Sequence, residues 1–249
     1  MRNHFFAIHP LIGTKTKPAA DHLQQRSPYY WWWAYLKRNQ DYLSCCEQEG
    51  RGSLAGLYAD FGDVRDENFR TWWGAPSNKG VHLFAEEPLN LSVEKIDPLG
   101  VPATLVREGV LFVAVNMKLG KRRLQQKFAE LLAKTHEGKR GRRSLKASSS
   151  SARYPLHRNF TAHNLKVMLK VFDAVEQNKS MRKADRQTLW AIGESFKLVP
   201  TAMPHKWDNS YDTRKKHATM TMTVSRYYKE ASVIIANTSK GQFPNSRPV

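Results

Sequence analysis

From Lys139 to Arg158 the chain reads Lys-Arg-Gly-Arg-Arg-Ser-Leu-Lys-Ala, four serines, and then a stretch containing Arg153 and Arg158, with no acidic residue among them. A segment this polar, charged and low in complexity cannot bury enough apolar surface to form a core, so it breaks the chain into parts. Four regions result: an irregular arm at 1–26, an N-terminal domain at 27–138, a basic serine-rich linker at 139–158 and a C-terminal domain at 159–249. Hydrophobic residues make up 41% of the 249, enough for real cores on either side of the break.

Positive charge is concentrated in the second half. Residues 1–133 hold 17 Lys/Arg against 14 Asp/Glu, residues 134–158 hold 8 against 1, and residues 159–249 hold 15 against 7. The formal net charge of +18 therefore comes mostly from the linker and the C-terminal region. Clustered charge with a sequence pI near 10 is the electrostatic footprint of a nucleic-acid binder. Lys139, Arg140, Arg142, Arg143 and Lys146 are the linker cations expected to lie on phosphates. A basic run that serves only solubility is the plainer alternative.

The only cysteines, Cys45 and Cys46, are adjacent and have no other thiol to pair with, which suits a reducing cytoplasm. No secretory leader and no apolar run long enough to span a bilayer is legible, so a membrane partner is not expected.

In the N-terminal region Ser27-Pro28 reads as a helix start, a hydroxyl cap followed by proline at the first helical position. An aromatic-rich helix is expected from Tyr29 to Glu47. Trp32, Tyr35, Leu36, Leu43 and Cys46 form one apolar face. Tyr29, Tyr30, Trp31 and Trp33 lie off it, so a second surface must also be covered, by the domain or by another subunit. Trp31 to Trp33 could stack on single-stranded bases, but helical apolar spacing favours a core. Short helices are expected near 53–60 and 65–73, short strands at Val81–Phe84 and Val110–Val115, and a helix at Lys121–His136 with Leu124, Phe128, Leu131 and Leu132 on one face. The fold class is thus α+β and mostly helical, with a small α+β N-terminal domain.

The C-terminal region reads as three helices. Thr161 caps the first, through Asn178, with Leu165, Met168, Leu169, Phe172 and Val175 as its stripe. Asp185 caps the second, Arg186–Lys197, with Leu189, Trp190, Ile192 and Phe196 turned inward. After a connection from Pro200 to Asn209, Asp212 or Thr213 opens a long helix running to about Asn237. A short second helix and a third that is basic in its first turns make a helix-turn-helix-like pattern, in which the start of the third helix enters the major groove. Arg214, Lys215, Lys216, Thr219, Arg226 and Lys229 are its candidate DNA contacts. Arginine can take guanine bidentately, while threonine and lysine reach bases or phosphates.

These segments also resemble a known family. Leu-Lys-Val-Met-Leu-Lys-Val-Phe-Asp-Ala (165–174), Leu-Trp-Ala-Ile-Gly-Glu-Ser-Phe (189–196), Val-Ser-Arg-Tyr-Tyr-Lys-Glu-Ala (224–231) and Gly-Gln-Phe-Pro (241–244), preceded by Trp-Trp-Trp-Ala-Tyr-Leu-Lys-Arg-Asn-Gln-Asp-Tyr (31–42), are similar to a proteobacterial family of DNA-binding regulators found on mobile elements and beside secretion loci. The resemblance spans most of residues 27–244. It implies a transcriptional activator of a mobile-element or type VI secretion operon. Its partners would be double-stranded DNA, RNA polymerase and further copies of itself, assembled through the N-terminal domain into a homo-oligomer, in this family a hexamer. No cofactor is implied.

Chemistry offers less. Asp60, Asp63, Asp66 and Glu67 could share a hard cation as a nuclease would, but they read more simply as a turn and an acidic first helical turn. No phosphate-binding glycine loop, nucleophile elbow or paired-histidine metal motif occurs. The reading is a DNA-binding regulator and not an enzyme, with a non-specific DNA or RNA scaffold as the alternative and a metal-dependent nuclease third.

Overall fold

Helix capping explains most of the architecture in the computed structural model, which describes residues 4–14, 16–65, 68–74, 79–86, 113, 115–135, 150–157 and 161–248. The arm carries a two-residue strand, β1 (His4–Phe5), and one turn of helix, α1 (Asp21–Gln24). Ser27 then opens α2 (Pro28–Leu36): its Oγ accepts from the Tyr29 amide at 3.3 Å, and Pro28 fills the first turn, where a missing N–H costs nothing.

The expected continuous helix to Glu47 is instead two. Asn39 takes an extended backbone, accepts from the Tyr42 amide at 2.8 Å and starts α3 (Gln40–Glu47), while its own Nδ2 donates to the Ile235 carbonyl at 2.9 Å. An asparagine that caps and also pairs with a distant buried carbonyl is worth more at the break than inside a helix.

α4 (Ala55–Phe61), α5 (Phe69–Gly74) and α6 (Lys79–Phe84) come next. Residues 81–84, expected as a strand, are helical because Gly80, Leu83 and Phe84 share one helical face and bury it. A Cβ on Gly80 would stand 2.2 Å from the Trp73 ring, so the bare backbone is what lets α6 lie against that indole. β2 (Ala85–Glu86) pairs antiparallel with β1, Phe5 opposite Ala85. Val113 and Val115 adopt no strand, and the rest of 110–115 lies outside the described residues. The protein is mostly helical, and among the described residues the α+β description of the N-terminal region reduces to one two-residue ladder.

In the C-terminal region Thr161 Oγ1 accepts from the Asn164 amide at 3.1 Å and starts α8 (Ala162–Ser180). α9 (Leu189–Ser195) is shorter than expected, because Thr188 and not Asp185 caps it; Asp185 ends a 3-10 turn and pairs with Arg182 at 2.9 Å. Phe196, expected inward, is exposed just past its end.

Two compact units result, and they do not follow the expected boundary in the basic run. One comprises Met1–Pro88 together with Ser144–Val249, and the other is Leu89–Arg143, inserted between them in sequence. In the first unit α2 buries seven of its nine residues, all three tryptophans included. Its first face, with Trp32 and Tyr35, meets Phe61, Phe84, α8 and α10 (Ser210–Thr238) with the following Phe243. Polar bonds fix the same seam: the Tyr35 hydroxyl donates to the Leu165 carbonyl at 3.0 Å, and Arg38 holds Asp173 through both carboxylate oxygens, at 3.1 and 2.9 Å. The second aromatic face also finds its cover inside the chain, but in the N-terminal segments: Tyr29 packs on Phe5, Trp73 and Phe84, Tyr30 on Phe69, and Trp33 on Phe69 and Trp72.

In the second unit α7 (Lys121–Thr135) forms where expected. Leu124, Phe128 and Leu131 line an apolar groove of about 550 Å³ with Val113, Val115 and Leu119, and Phe128 is half exposed.

Candidate nucleic-acid interface

The long helix is positioned by its cap and by close packing. Asn209, not Asp212 or Thr213, starts it: Asn209 Oδ1 accepts from the Asp212 amide at 2.8 Å, three residues earlier than the sequence suggests. Against its buried side lies α9, where Gly193 faces Met220 and Val224; a Cβ there would fall 2.4 Å from Met220 Cγ. Trp190 and His217 meet with ring centroids 4.0 Å apart. This fixes which side of α10 can reach a ligand.

On the opposite side Tyr211, Lys215, Ala218, Met222, Arg226 and Lys229 recur in steps of three or four residues, with Arg214 and Thr219 flanking, and all eight are exposed. The stripe carries four cations, no acidic residue and no histidine. Of the expected contacts, Arg214, Lys215, Thr219, Arg226 and Lys229 therefore share one face. The Arg226 guanidinium stands 5.3 Å from the Tyr227 ring centroid, and Thr219 Oγ1 donates to the Lys215 carbonyl at 2.9 Å, leaving the hydroxyl oxygen free to accept.

Lys216 is the exception. It lies four residues before buried Met220 and eight before buried Val224, and its Nζ donates to the Asp208 carboxylate at 2.6 and 2.8 Å and to the Met203 carbonyl at 3.1 Å. Hydrogen bonding to Lys216 holds the Asp208 carboxyl below its usual value. This lysine braces the turn before α10, whereas the other expected contacts on the helix are exposed. Beside it, Thr201, Ala202, Asp212, Lys215 and Thr219 outline a cleft of about 320 Å³ at the start of the helix.

Sequence reasoning missed Trp207 and Tyr211, both strongly exposed at the head of this stripe. The signal was present: Tyr211 is in phase with Lys215 and Met222, and an aromatic in phase with cations is not in phase with a core.

Lys139, Arg140, Arg142, Arg143 and Lys146 lie outside the described residues. The serines at the end of the basic run are held down. Glu86 accepts from the Ser150 hydroxyl at 2.5 Å and from the Ser151 amide and hydroxyl at 2.6 and 2.8 Å.

The acidic group does not assemble as a cation site among the described residues. Asp60 accepts from the Tyr154 hydroxyl at 2.6 Å and pairs with Arg153 at 2.7 Å, and Asp63 is gripped by Arg65, whose hydrogen bonds hold its carboxyl below the usual range. Asp66 and Glu67 lie outside the described residues, and no cluster of three metal-ligating side chains occurs among those described. Cys45 and Cys46 are buried, and burial pushes the Cys46 thiol up, opposite to what a nucleophile needs. No helix of the described residues is long and apolar enough to cross a membrane.

Fold and surface together define a mostly helical protein presenting one long helix with a cationic outer stripe. No protein-family model, curated protein or solved structure matches the chain.

Proposed function

We propose that this chain is a sequence-reading, DNA-binding transcriptional regulator in which the outer face of α10 enters the major groove. The observation that supports it most is the stripe on α10: Arg214, Lys215, Arg226 and Lys229 with Thr219, exposed together in a stripe that itself contains no acid. A polyanion is the complement of such a face. Arg214 and Lys215, in the first turns, are the base-reading candidates, while Arg226 and Lys229 suit phosphates further along the groove. In this reading the basic run at 139–146 adds phosphate contacts, and several copies of the chain bind together so that weak contacts combine. The resemblance in the C-terminal segments points to an activator of a mobile-element or secretion operon in the cytoplasm, working as a homo-oligomer and acting by binding, without catalysis or a cofactor.

A non-specific nucleic-acid scaffold is the second reading, favoured by the overall charge of +18, which neutralises phosphates whatever the sequence. Titrating the protein into labelled upstream DNA and into a scrambled fragment, at two salt concentrations and without added metal, separates the two. A salt-dependent preference for the native fragment is expected. Equal affinity for both would overturn the regulator reading in favour of the scaffold.

A further inference from the structure

Seven tryptophans occur in the chain, and six of them are built into the fold. Trp31, Trp32, Trp33, Trp72 and Trp73 are buried, and Trp190 is half-buried against His217. Trp207 is 77% exposed, and Tyr211, four residues on, is 71% exposed. Large aromatic surface left in water needs a reason, and here the backbone beneath it is anything but loose. The His205 amide donates to Asp208 Oδ2 at 2.7 Å, the Asp208 amide donates to the His205 carbonyl at 3.0 Å, and Lys216 locks the same carboxylate from α10. The turn carrying Trp207 is therefore tied down immediately before Asn209 caps the helix that carries Tyr211.

The surroundings indicate the ligand such a surface would meet. Lys206 Nζ lies 4.8 Å from the Trp207 ring centroid, and Arg214 and Lys215 come after Tyr211 on the same exposed stripe. Exposed flat rings on a tied-down backbone, with cations beside them, match a nucleic acid whose base is out of its stack: the ring takes the base face, and the cations take the flanking phosphates. An apolar partner protein would not be drawn to that charge.

We propose that Trp207 and Tyr211 form a stacking platform for an unstacked nucleobase, so that α10 prefers duplex DNA carrying an opened or bulged step over fully paired DNA. This rests on the DNA-binding reading and deepens it by naming the state of the DNA that the surface takes. Stacking is not a phosphate contact, so its contribution should be independent of salt, unlike that of the neighbouring cations.

The test uses the full chain with two short labelled duplexes of the same sequence, one fully paired and one with a single-nucleotide bulge, followed by anisotropy and by tryptophan emission. The wild type should bind the bulged duplex about tenfold more tightly, as one gained base stack predicts, and its emission should be quenched. Trp207→Ala should lose both the preference and the quenching while keeping its affinity for the paired duplex and its salt slope. Tyr211→Ala should lose part of the preference. Arg214→Ala/Lys215→Ala should weaken both duplexes and flatten the slope, but retain the preference. Wild-type binding to both duplexes with equal affinity, or a Trp207→Ala variant that keeps the preference, would overturn the platform and leave the DNA reading standing. A Trp207→Ala variant changed only in its sedimentation would likewise overturn it and assign the aromatics to a protein contact. If the wild type binds neither duplex, the DNA reading fails and takes the platform with it.

Discussion

Two helices of the same compact unit are both rich in large side chains and use them in opposite ways. α2 hides seven of its nine residues, whereas α10 hides one side and leaves a stripe of cations, a tyrosine and a methionine in water. The tryptophan run of α2, the most conspicuous feature of the sequence after its charge, is scaffold. The proposed DNA contacts lie on the less conspicuous helix. A run of aromatics at consecutive positions points in every direction around a helix, so it must be enclosed to exist at all, and an enclosed surface cannot also be offered to a ligand. The stripe on α10 has the complementary property: its side chains stand exposed to water.

The strongest way to break this contrast is to damage α2 and ask what else falls. Trp32 is fully buried, with ring centroids 5.9 Å from Phe61, 5.2 Å from Phe84 and 5.3 Å from Phe243, the last lying beyond α10. Trp32→Ala should cost about 3–5 kcal/mol, the range for removing a large aromatic from a core. Urea unfolding should shift as one transition in which the C-terminal helices melt with the rest. A second transition, with α8 to α10 unmoved, would show that the regions flanking the basic run fold separately after all.

A smaller loss is expected at the joint between the two helices. Asn39 caps α3 and donates to the Ile235 carbonyl of α10, so Asn39→Ala removes a cap and leaves a buried acceptor unpaired. About 2 kcal/mol is expected from the two effects together. Asn39→Asp keeps the cap but not the donor, and it should be at least as destabilising, because its buried carboxylate would face the carbonyl. A milder Asn39→Asp would mean that the cap, not the cross-link to α10, carries the effect.

These sites also show how far the sequence could be read. Ser27-Pro28, Thr161 and the stripe of α8 were legible because caps and periodicity are local. Asn39 was not, since the break it makes is rewarded by a carbonyl 196 residues away. The strand expected at Val81–Phe84 failed for a similar reason: β-branched and aromatic residues suggest a strand until Gly80 and Trp73 are known to meet. The compact units cut across the basic run, since low complexity marks where a core is absent, not which flanking segments share one. On α10 the cations were legible as a group. Lys216 was separable from them by spacing alone, since it falls in phase with Met220 and Val224.

Lys216 gives a sharper test of the outer stripe, with a smaller effect. If its ammonium is spent on Asp208 and Met203, then Lys216→Met should leave the slope of affinity against salt unchanged, apart from any loosening of the turn. Lys215→Met, one residue away but outward, should lower the slope by roughly 0.9 if it holds one phosphate. Equal slope changes in the two variants would return Lys216 to the DNA surface.

The smallest effect separates the helices by pH. His9 packs edge-on to Phe5 and Trp73, at centroid distances of 4.7 and 5.4 Å, and His157 donates its amide to the Phe243 carbonyl at 2.9 Å. Burial lowers both below the ordinary histidine value of 6.5. With the folded values depressed, the fold favours neutral rings: their contribution is fully present above about pH 6.5 and is lost as the pH falls through the folded values. The melting temperature should therefore decline modestly between about pH 7 and about pH 5, ahead of the carboxylate range. His9→Gln/His157→Gln should flatten that decline, and an unchanged decline would place its source elsewhere. The α10 stripe contains no histidine, so DNA affinity, measured where the protein remains folded, should not follow the same curve. If affinity and melting temperature fell together, the aromatic scaffold and the cationic face would be coupled by titration, and the division of labour between α2 and α10 would be less complete than their burial indicates.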